Sequence, residues 1–408
     1  MAQVVRVVIV GAGPAGASLA FLLARSGIAV TLLERHTDFA REFRGEALMP
    51  SGVDAFAQMG LGAALDALPA SRISAVEMYR GARRLFRLDV EEQLGTFGPR
   101  MISQPALLEL LVAEGARFPS FRLERGVTVR DVVRDGERVV GVLADSSAGA
   151  REFRGDLVIG TDGRTSVLRR RAGLHEERMP QAFDIVWCKV PLPPFLGDRR
   201  TARAYLGRGH FALMFPSYDE RLQIGWIIEK GCFGELRRRG IESWLDEMAN
   251  HLSPDLAAHL HAHRQEITQP FLLDVVCDRL VRWTAPGLLL IGDAAHPMSP
   301  VGGQGINIAL RDAIVAANHL VPVLTRSGSA GEIDAAAQRV QAERQPEVTQ
   351  IQAQQQRPPR VLFGRARGSG IFLGVVLPLL VQTGIARRLI GPFVRRFASG
   401  VVTVRLEV

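Results

Sequence analysis

Apolar positions along the chain come in two patterns, short unbroken runs and longer stretches of helical period. Their alternation predicts buried parallel strands joined by helices. Val4 to Val10 reads as a buried strand, followed by the glycine-rich turn Gly11 to Gly16, a helix of small residues from Ala17 to Ser26, and a second strand from Ala29 to Glu34. A helix is predicted over Gly52 to Met59. Antiparallel strands are predicted between Ile73 and Val90 from the alternation through Met78, Leu85, Phe86 and Leu88. Ser103-Gln104-Pro105 opens a helix over Ala106 to Ala116. Strands over Val127 to Val133 and Val139 to Ala144 meet at Asp135-Gly136, and Asp156 to Ile159 leads through Gly160 to Ser166 into a basic helix start at Val167 to Arg171.

From Phe183 to Leu280 the pattern changes to short β-like runs, Ile185 to Val190, Thr201 to Leu206, Phe211 to Phe215 and Leu222 to Ile228, then a helix over Ile241 to Ala258. Such an insertion predicts a separate antiparallel sheet roofing the site. Leu288 to Ile291 is again a buried strand. It stops at Gly292-Asp293 and passes through Pro297, Pro300, Gly302, Gly303 and Gly305 into a helix marked by Ile306, Ile308, Ala309 and Ile314. Further helices are expected over Ile314 to Leu324 and Glu332 to Gln345, then a Gln-rich stretch, Gln350 to Gln356. The predicted fold is α/β. A Rossmann-like cofactor domain draws on residues 1–70, 100–177 and 281–355, an antiparallel substrate domain on 71–99 and 178–280, and a helical, apolar C-terminal segment on 356–408.

The candidate chemistry lies where strands end in glycine and acid. Gly11 makes the tight turn, Gly13 admits a pyrophosphate, and Gly16 lets the helix pack on the strand, with Pro14 and Ala15 between them. Glu34 is placed to accept the ribose hydroxyls of an adenosine. The pattern does not distinguish FAD from NAD. Arg35 braces the adenosine or is a surface charge. Arg44 is a phosphate or ribose contact or a solvated loop arginine. Gln104 is a cofactor contact or a helix cap. Asp162-Gly163 repeats the acid-and-glycine arrangement of Gly292-Asp293, with Arg164 and Arg169 within reach of a pyrophosphate or the whole no more than a turn. Asp293 suits hydroxyls, and the amides of Gly302, Gly303, Gln304 and Gly305 with the following helix dipole suit negative charge.

Composition narrows the function classes. The 408 residues, 47% hydrophobic and 23% charged, can bury a sizeable core, and the formal charge of +8 is carried almost wholly by arginine, since Lys189 and Lys230 are the only lysines. The arginines form no aromatic-interleaved stripe, which argues against nucleic acid as a partner. Cys188, Cys232 and Cys277 stand far apart without metal spacing and read as reduced thiols, pointing with the strand-like N-terminus to a cytoplasmic protein. Ile371 to Ala386 is the most apolar stretch, 16 residues interrupted by Gly374 and Pro378. It is short for a span, which needs roughly 20, and reads as a helix against the core; its arginine flanks leave peripheral membrane contact as the alternative.

Three spaced segments together resemble the flavoprotein monooxygenases of the para-hydroxybenzoate hydroxylase fold, the group A aromatic hydroxylases. They are Gly11 to Gly16 with Glu34, Gly160 to Ser166, and Gly292-Asp293 through Gln304-Gly305-Ile306-Asn307, matching over roughly residues 1 to 355. The resemblance implies FAD as cofactor and NAD(P)H as co-substrate. It implies Glu34 at the adenosine ribose, Arg44 and Gln104 on the FAD, Val129 at the adenine, and Asp162-Gly163 at the FAD and NAD(P)H pyrophosphates. Asp293 would take the ribityl chain, with Pro300 to Asn307 facing the isoalloxazine. The implied reaction uses O₂ and, through a flavin C4a-hydroperoxide, hydroxylates an aromatic, polyketide-like or quinone-precursor molecule. Pro300 and Gly305 would shape the reacting centre, and no side-chain base is assigned. His210 and Tyr218 are candidates for which structural roles compete, and His296 reads as structural. A halogenase, a geranylgeranyl-type flavin reductase and a non-catalytic FAD-binding protein are the alternatives; the halogenases' Trp-x-Trp-x-Ile-Pro stretch is absent around Trp226.

Overall fold

Arg6–Val10 lies in the middle of a six-stranded sheet because its apolar run can be covered on both faces. In this computed structural model, which describes residues 6–40, 46–94, 98–196, 200–207, 211–268, 270–356, 398 and 400–408, the strand order is Thr284–Ala285, Leu288–Leu290, Leu157–Gly160, Arg6–Val10, Ala29–Glu34, Phe121–Arg125. All pairs are parallel except the edge strand Thr284–Ala285. Helix Pro14–Arg25 packs against both Gln104–Gly115 and Gly305–Leu324, and an antiparallel meander (Thr128–Asp135, Arg138–Ser146, Gly149–Arg154) packs against Leu157–Gly160. Its third strand has charged residues at three of six positions and Phe153 as its only large apolar one, so periodicity missed it.

A seven-stranded sheet covers this domain, in the order Phe271–Leu273, Phe183–Pro191, Arg221–Glu229, Phe211–Pro216, Thr201–Leu206, Ala75–Arg80, Arg83–Asp89. Period 2 divides its side chains. Val186, Cys188, Met214, Ile224 and Trp226 pack outward against Leu236, Trp244, Leu245, Leu256 and Leu260 of helices Phe233–Ala249 and Pro254–Ala262. Phe183, Ile185, Trp187, Phe215 and Ile227 face inward. The single helix expected over Ile241 to Ala258 is therefore two. Pro254 suits a first helical position, where its missing N–H leaves nothing unpaired, and it starts the second one. The first begins earlier, in an arginine-rich stretch broken at Gly240, where φ is 85°.

The Gln-rich stretch is the end of the long helix Ala330–Gln355 rather than a separate segment. Buried Arg311 and Arg344 hold Glu347, and Glu347 Oε1 in turn accepts the Val401 and Val402 N–H groups at 3.0 and 3.2 Å, fixing residues 400–408 to the core. Arg44, His210 and the apolar segment 371–386 lie outside the described residues. No helix among the described residues is long and apolar enough to cross a membrane.

Candidate cofactor and substrate site

The turn after Arg6–Val10 is glycine for two different reasons. A Cβ on Gly11, where φ is 100°, would lie 2.5 Å from the Thr161 carbonyl oxygen, and one on Gly16 would lie 2.0 Å from the Gly11 oxygen. These two let the chain pack. A Cβ on Gly13 would meet nothing within 4 Å. Open space therefore stands before the helix Pro14–Arg25, whose N-terminus has no side-chain cap and whose Pro14 has no N–H to leave unpaired. Glu34, buried at the end of its strand, accepts the Ala12 N–H at 2.9 Å and the His36 N–H at 3.0 Å. Arg35 is exposed and donates to His36.

Gly292 brings the second unit to the first. Its φ is 60°, its N–H donates to Asp312 Oδ2 at 3.0 Å, and a Cβ there would lie 3.2 Å from Ala15 Cβ and 3.8 Å from Ala309 Cβ. The first turn of Pro14–Arg25 and the second turn of Gly305–Leu324 thus meet at Gly292, with half-buried Asp293 beside them. The second helix also has no side-chain cap, and a Cβ on Gly305 would meet nothing. Two uncapped N-termini facing open space and converging on one acid suit a long anionic, polyhydroxylated ligand.

The remaining candidates divide. Pro300 opens the turn closed by the Gly303 N–H at 2.9 Å; Gly302 and Gly303 have φ of 75° and 62°, and Ile306 is half-buried in the first helical turn. Asn307 is fully buried and bonded to the chain: Oδ1 accepts the Met49 N–H at 2.9 Å, and Nδ2 donates to the Gly303 oxygen at 2.7 Å. It ties loop 300–305 to the strand Ala47–Leu48. The cap of helix Gln104–Gly115 is Ser103, which leaves the half-buried Gln104 amide without a hydrogen bond among the described residues.

Asp162 accepts from Ser166 Oγ at 2.6 Å and from the Val167 and Leu168 N–H groups, capping the short helix Val167–Arg171. Burial outweighs these bonds and holds its carboxyl above the usual range. Gly163 beside it has φ of 81°. Arg164 donates to the Asp274 carbonyl, and Arg169 to the Arg164 carbonyl while pairing with Glu176. Val127 donates its N–H to the Glu34 carbonyl at 2.9 Å, and Val129, two residues on, pairs with Ala144 inside the meander. His296 is buried against Trp283, with Nε2 2.7 Å from Asp312 Oδ2. Burial acts to raise the Asp312 carboxyl, but His296 and Arg344 bring it down to about 2.

Above the loop, the inward face of the seven-stranded sheet is apolar. Trp187 and Phe215 lie with ring centroids 5.9 Å apart, and Ala47 and Val301 pack against the same cluster from below. Gly225 makes room for the Trp187 ring, since a Cβ there would lie 2.6 Å from it. At one end stands a polar group that sequence reasoning missed. Lys189 Nζ donates to Glu46 at 3.0 Å, Ser217 at 2.9 Å and Asp219 at 2.8 Å, and Ser217 Oγ donates to the other Glu46 oxygen at 2.8 Å. Tyr218, a candidate base, has its ring under Lys189 Nζ, 4.6 Å away. Burial pushes the Glu46 carboxyl up to about 7 against Lys189 and Ser217, which lower it. The available signal was one of two lysines, set on the inward period of Phe183, Ile185 and Trp187. A cavity lined by Val186, Trp226 and Phe233 lies on the sheet's other face, away from the loop.

A parallel nucleotide-binding sheet under an apolar antiparallel roof defines the class as a dinucleotide-dependent oxidoreductase. The family described as FAD binding domain matches residues 4–354, and the chain belongs to it. The chain is 32% identical to 6-methylpretetramide 4-monooxygenase of Streptomyces rimosus, over 98% of this chain and 94% of that one. It is 29% identical to digeranylgeranylglycerophospholipid reductase 1 of Methanopyrus kandleri, over 74% and 77%. The crystal structure of p-nitrophenol 4-monooxygenase from Pseudomonas putida shares the fold, with a TM-score of 0.79 over 99% of this chain and 100% of that one at 19% identity. The protein is an FAD-dependent monooxygenase of the group A aromatic hydroxylase type.

Proposed function

We propose that the enzyme hydroxylates a phenolic, polycyclic molecule of polyketide type, using NAD(P)H as electron donor and O₂ as oxidant. The observation that carries this is the inward apolar face on which Trp187, Phe215 and Ile227 meet Ala47 and Val301, and we read the region between it and the uncapped N-terminus at Gly305 as the substrate slot. The likeness to a pretetramide monooxygenase supports the substrate class.

FAD fits the residues present, since the open space at Gly13 and Gly305 and the two uncapped helices match a pyrophosphate and a ring carrying negative charge. Glu34 would hold the adenosine ribose, the Ala15 and Gly16 amides the pyrophosphate, and Asp293 the ribityl hydroxyls, with Gln104 and Arg44 completing the set. When bound, FAD would supply the redox chemistry that couples oxidation of the nicotinamide to reduction of O₂. The chain does the rest. Trp187 and Phe215 orient the substrate ring, Pro300 to Gly303 form the floor beneath it, and the roof keeps water from the reacting atoms. The Gly305 and Ile306 amides stabilise negative charge. Asn307 and Asp162 act by holding backbone in place.

A second reading, reduction of an isoprenoid chain, draws on the likeness to the archaeal reductase. The charged end of the slot favours a substrate with an ionisable hydroxyl. The test is reduction of the FAD-loaded protein by NADH and NADPH with phenols, anthracene-type polyketides and isoprenoid lipids, followed by mass analysis under labelled O₂. Phenol-stimulated reduction with one labelled oxygen in the product is expected. Saturation of an isoprenoid double bond without label would instead establish the reductase, and no reduction by either nicotinamide would end the donor assignment.

A further inference from the structure

The polar end of the slot is built as a path from inside to outside. Side-chain exposure rises from 5% at Glu46 through 11% at Lys189 to 32% at Asp219, and each carboxylate is in direct contact with the ammonium between them. Among the described residues, Lys189 and Asp219 are the charged groups facing Glu46, from the strand Phe183–Pro191 and the turn after Phe211–Pro216; Ser217 is the third polar neighbour.

A second observation is independent of this cluster. Gln223 is 1% exposed, and neither its amide oxygen nor its nitrogen has a hydrogen-bond partner among the described residues. In register it stands directly across from Lys189 on one side and Phe215 on the other, so its side chain shares their inward face. A buried amide with both ends unmatched is costly unless something else completes it. A substrate oxygen in the slot would do so.

We propose that Glu46, Lys189 and Gln223 form the site that receives the ionisable hydroxyl of the substrate, with Glu46 taking up its proton and Lys189 passing a proton on to Asp219 at the solvent edge. This rests on the reading of the substrate as a phenol or enol. The substrate O–H bond breaks and its proton joins a Glu46 oxygen, leaving the electron pair on the substrate oxygen. That oxygen accepts hydrogen bonds from the Gln223 amide and the Lys189 ammonium. Lys189 then gives one proton to Asp219, which releases it to water, and recovers one from Glu46, directly or across Ser217. The net change is transfer of one proton from substrate to solvent. The electron-rich phenolate that results is the form that attacks electrophilic oxygen. Both forms of the Glu46 carboxyl are populated near neutral pH, as this exchange requires.

The test uses FAD-loaded full-length protein and 4-nitrophenol, whose phenolate is coloured and whose phenol is not. Binding is read from flavin fluorescence and ionisation from absorbance, at a pH one unit below the probe's own pKa. Wild type is expected to bind the probe as phenolate. Glu46→Gln should bind it uncoloured and lower kcat about 100-fold, with partial recovery in Glu46→Asp. Gln223→Leu should weaken binding about tenfold, the loss of one hydrogen bond to a charged oxygen. Asp219→Asn, at the exposed end, should keep the bound colour but slow release of the proton to a pH indicator. A bound probe equally coloured in wild type and Glu46→Gln, or uncoloured in both, overturns the proposal. Failure of every phenol to bind or be turned over overturns the substrate reading instead.

Discussion

Removing the Asn307 side chain should loosen the floor of the slot while leaving the helix behind it intact. The residue is fully buried, and two of its bonds are 2.7 and 2.9 Å long, to the Gly303 oxygen and the Met49 N–H. Each contributes about 1 kcal/mol net, and Asn307→Ala also leaves a donor and an acceptor without partners, costing about 1 kcal/mol or more in addition. The sum is about 3 kcal/mol. Gly52 offers a check on the geometry, because a Cβ there would stand 2.3 Å from Asn307 Oδ1 and 2.5 Å from Leu48 Cδ1. Gly52→Ala should therefore be destabilising in the wild type and less so when Asn307 is already alanine, with a coupling of about 1–2 kcal/mol. Urea unfolding of the four proteins, with FAD affinity from fluorescence, measures both. Asn307→Ala should also bind FAD more weakly, since loop 300–305 is no longer tied to Ala47–Leu48. Additivity within about 0.5 kcal/mol, or a single substitution costing less than that, would refute the reasoning.

The two open and closed glycines give opposite outcomes. Gly16→Ala should prevent stable folding because its Cβ would fall 2.0 Å from the Gly11 oxygen, whereas Gly13→Ala should leave apoprotein stability unchanged and abolish FAD retention, as shown by unfolding curves and bound-flavin absorbance. Glu46 titrates at about 7 in the fold against an ordinary 4.5, so the folded state binds the proton more tightly. Its contribution is full below about 4.5 and is lost as pH rises through 7, a difference of roughly 3 kcal/mol that should vanish from the stability–pH profile of Glu46→Gln. Gly225→Ala should push the Trp187 ring, 2.6 Å from the new Cβ, and raise KM several-fold with FAD content unchanged, as steady-state kinetics on loaded enzyme would show.

The parallel sheet and its glycine units were legible because their signal is local: Val7 to Val10, Leu157 to Ile159 and Leu288 to Leu290 are apolar on both faces, and each ends at its turn. The roof strands were legible as short β-like runs, but Phe183–Pro191 and Arg221–Glu229 are buried on both faces, so alternation did not separate inward from outward positions. What was not legible depends on pairing across the chain. Glu46 and Lys189 are 143 positions apart, and nothing near either one announces the other. Asn307 sits within a glycine-rich motif and reads as a ligand contact, although its side chain faces Met49 and Gly303. Asp162 looks like a ligand for the same reason and is a helix cap. Residue type and spacing mark the turn; only the folded backbone shows which way the side chain is directed.

The roof has a mechanical consequence. Its strands come from two stretches of chain, Ala75–Asp89 and Phe183–Leu273, joined side by side where Thr201–Leu206 runs parallel to Ala75–Arg80. Each stretch is anchored to the lower domain at both of its ends. A lid with one hinge swings, but a plate held by four tethers resists rotation about any one of them, because the other three must stretch. A molecule reaching the slot would then meet local yielding at an edge, such as the short strand Phe271–Leu273, more readily than a lifting of the cover. Molecules should be selected for width at that edge before they are selected for chemistry inside.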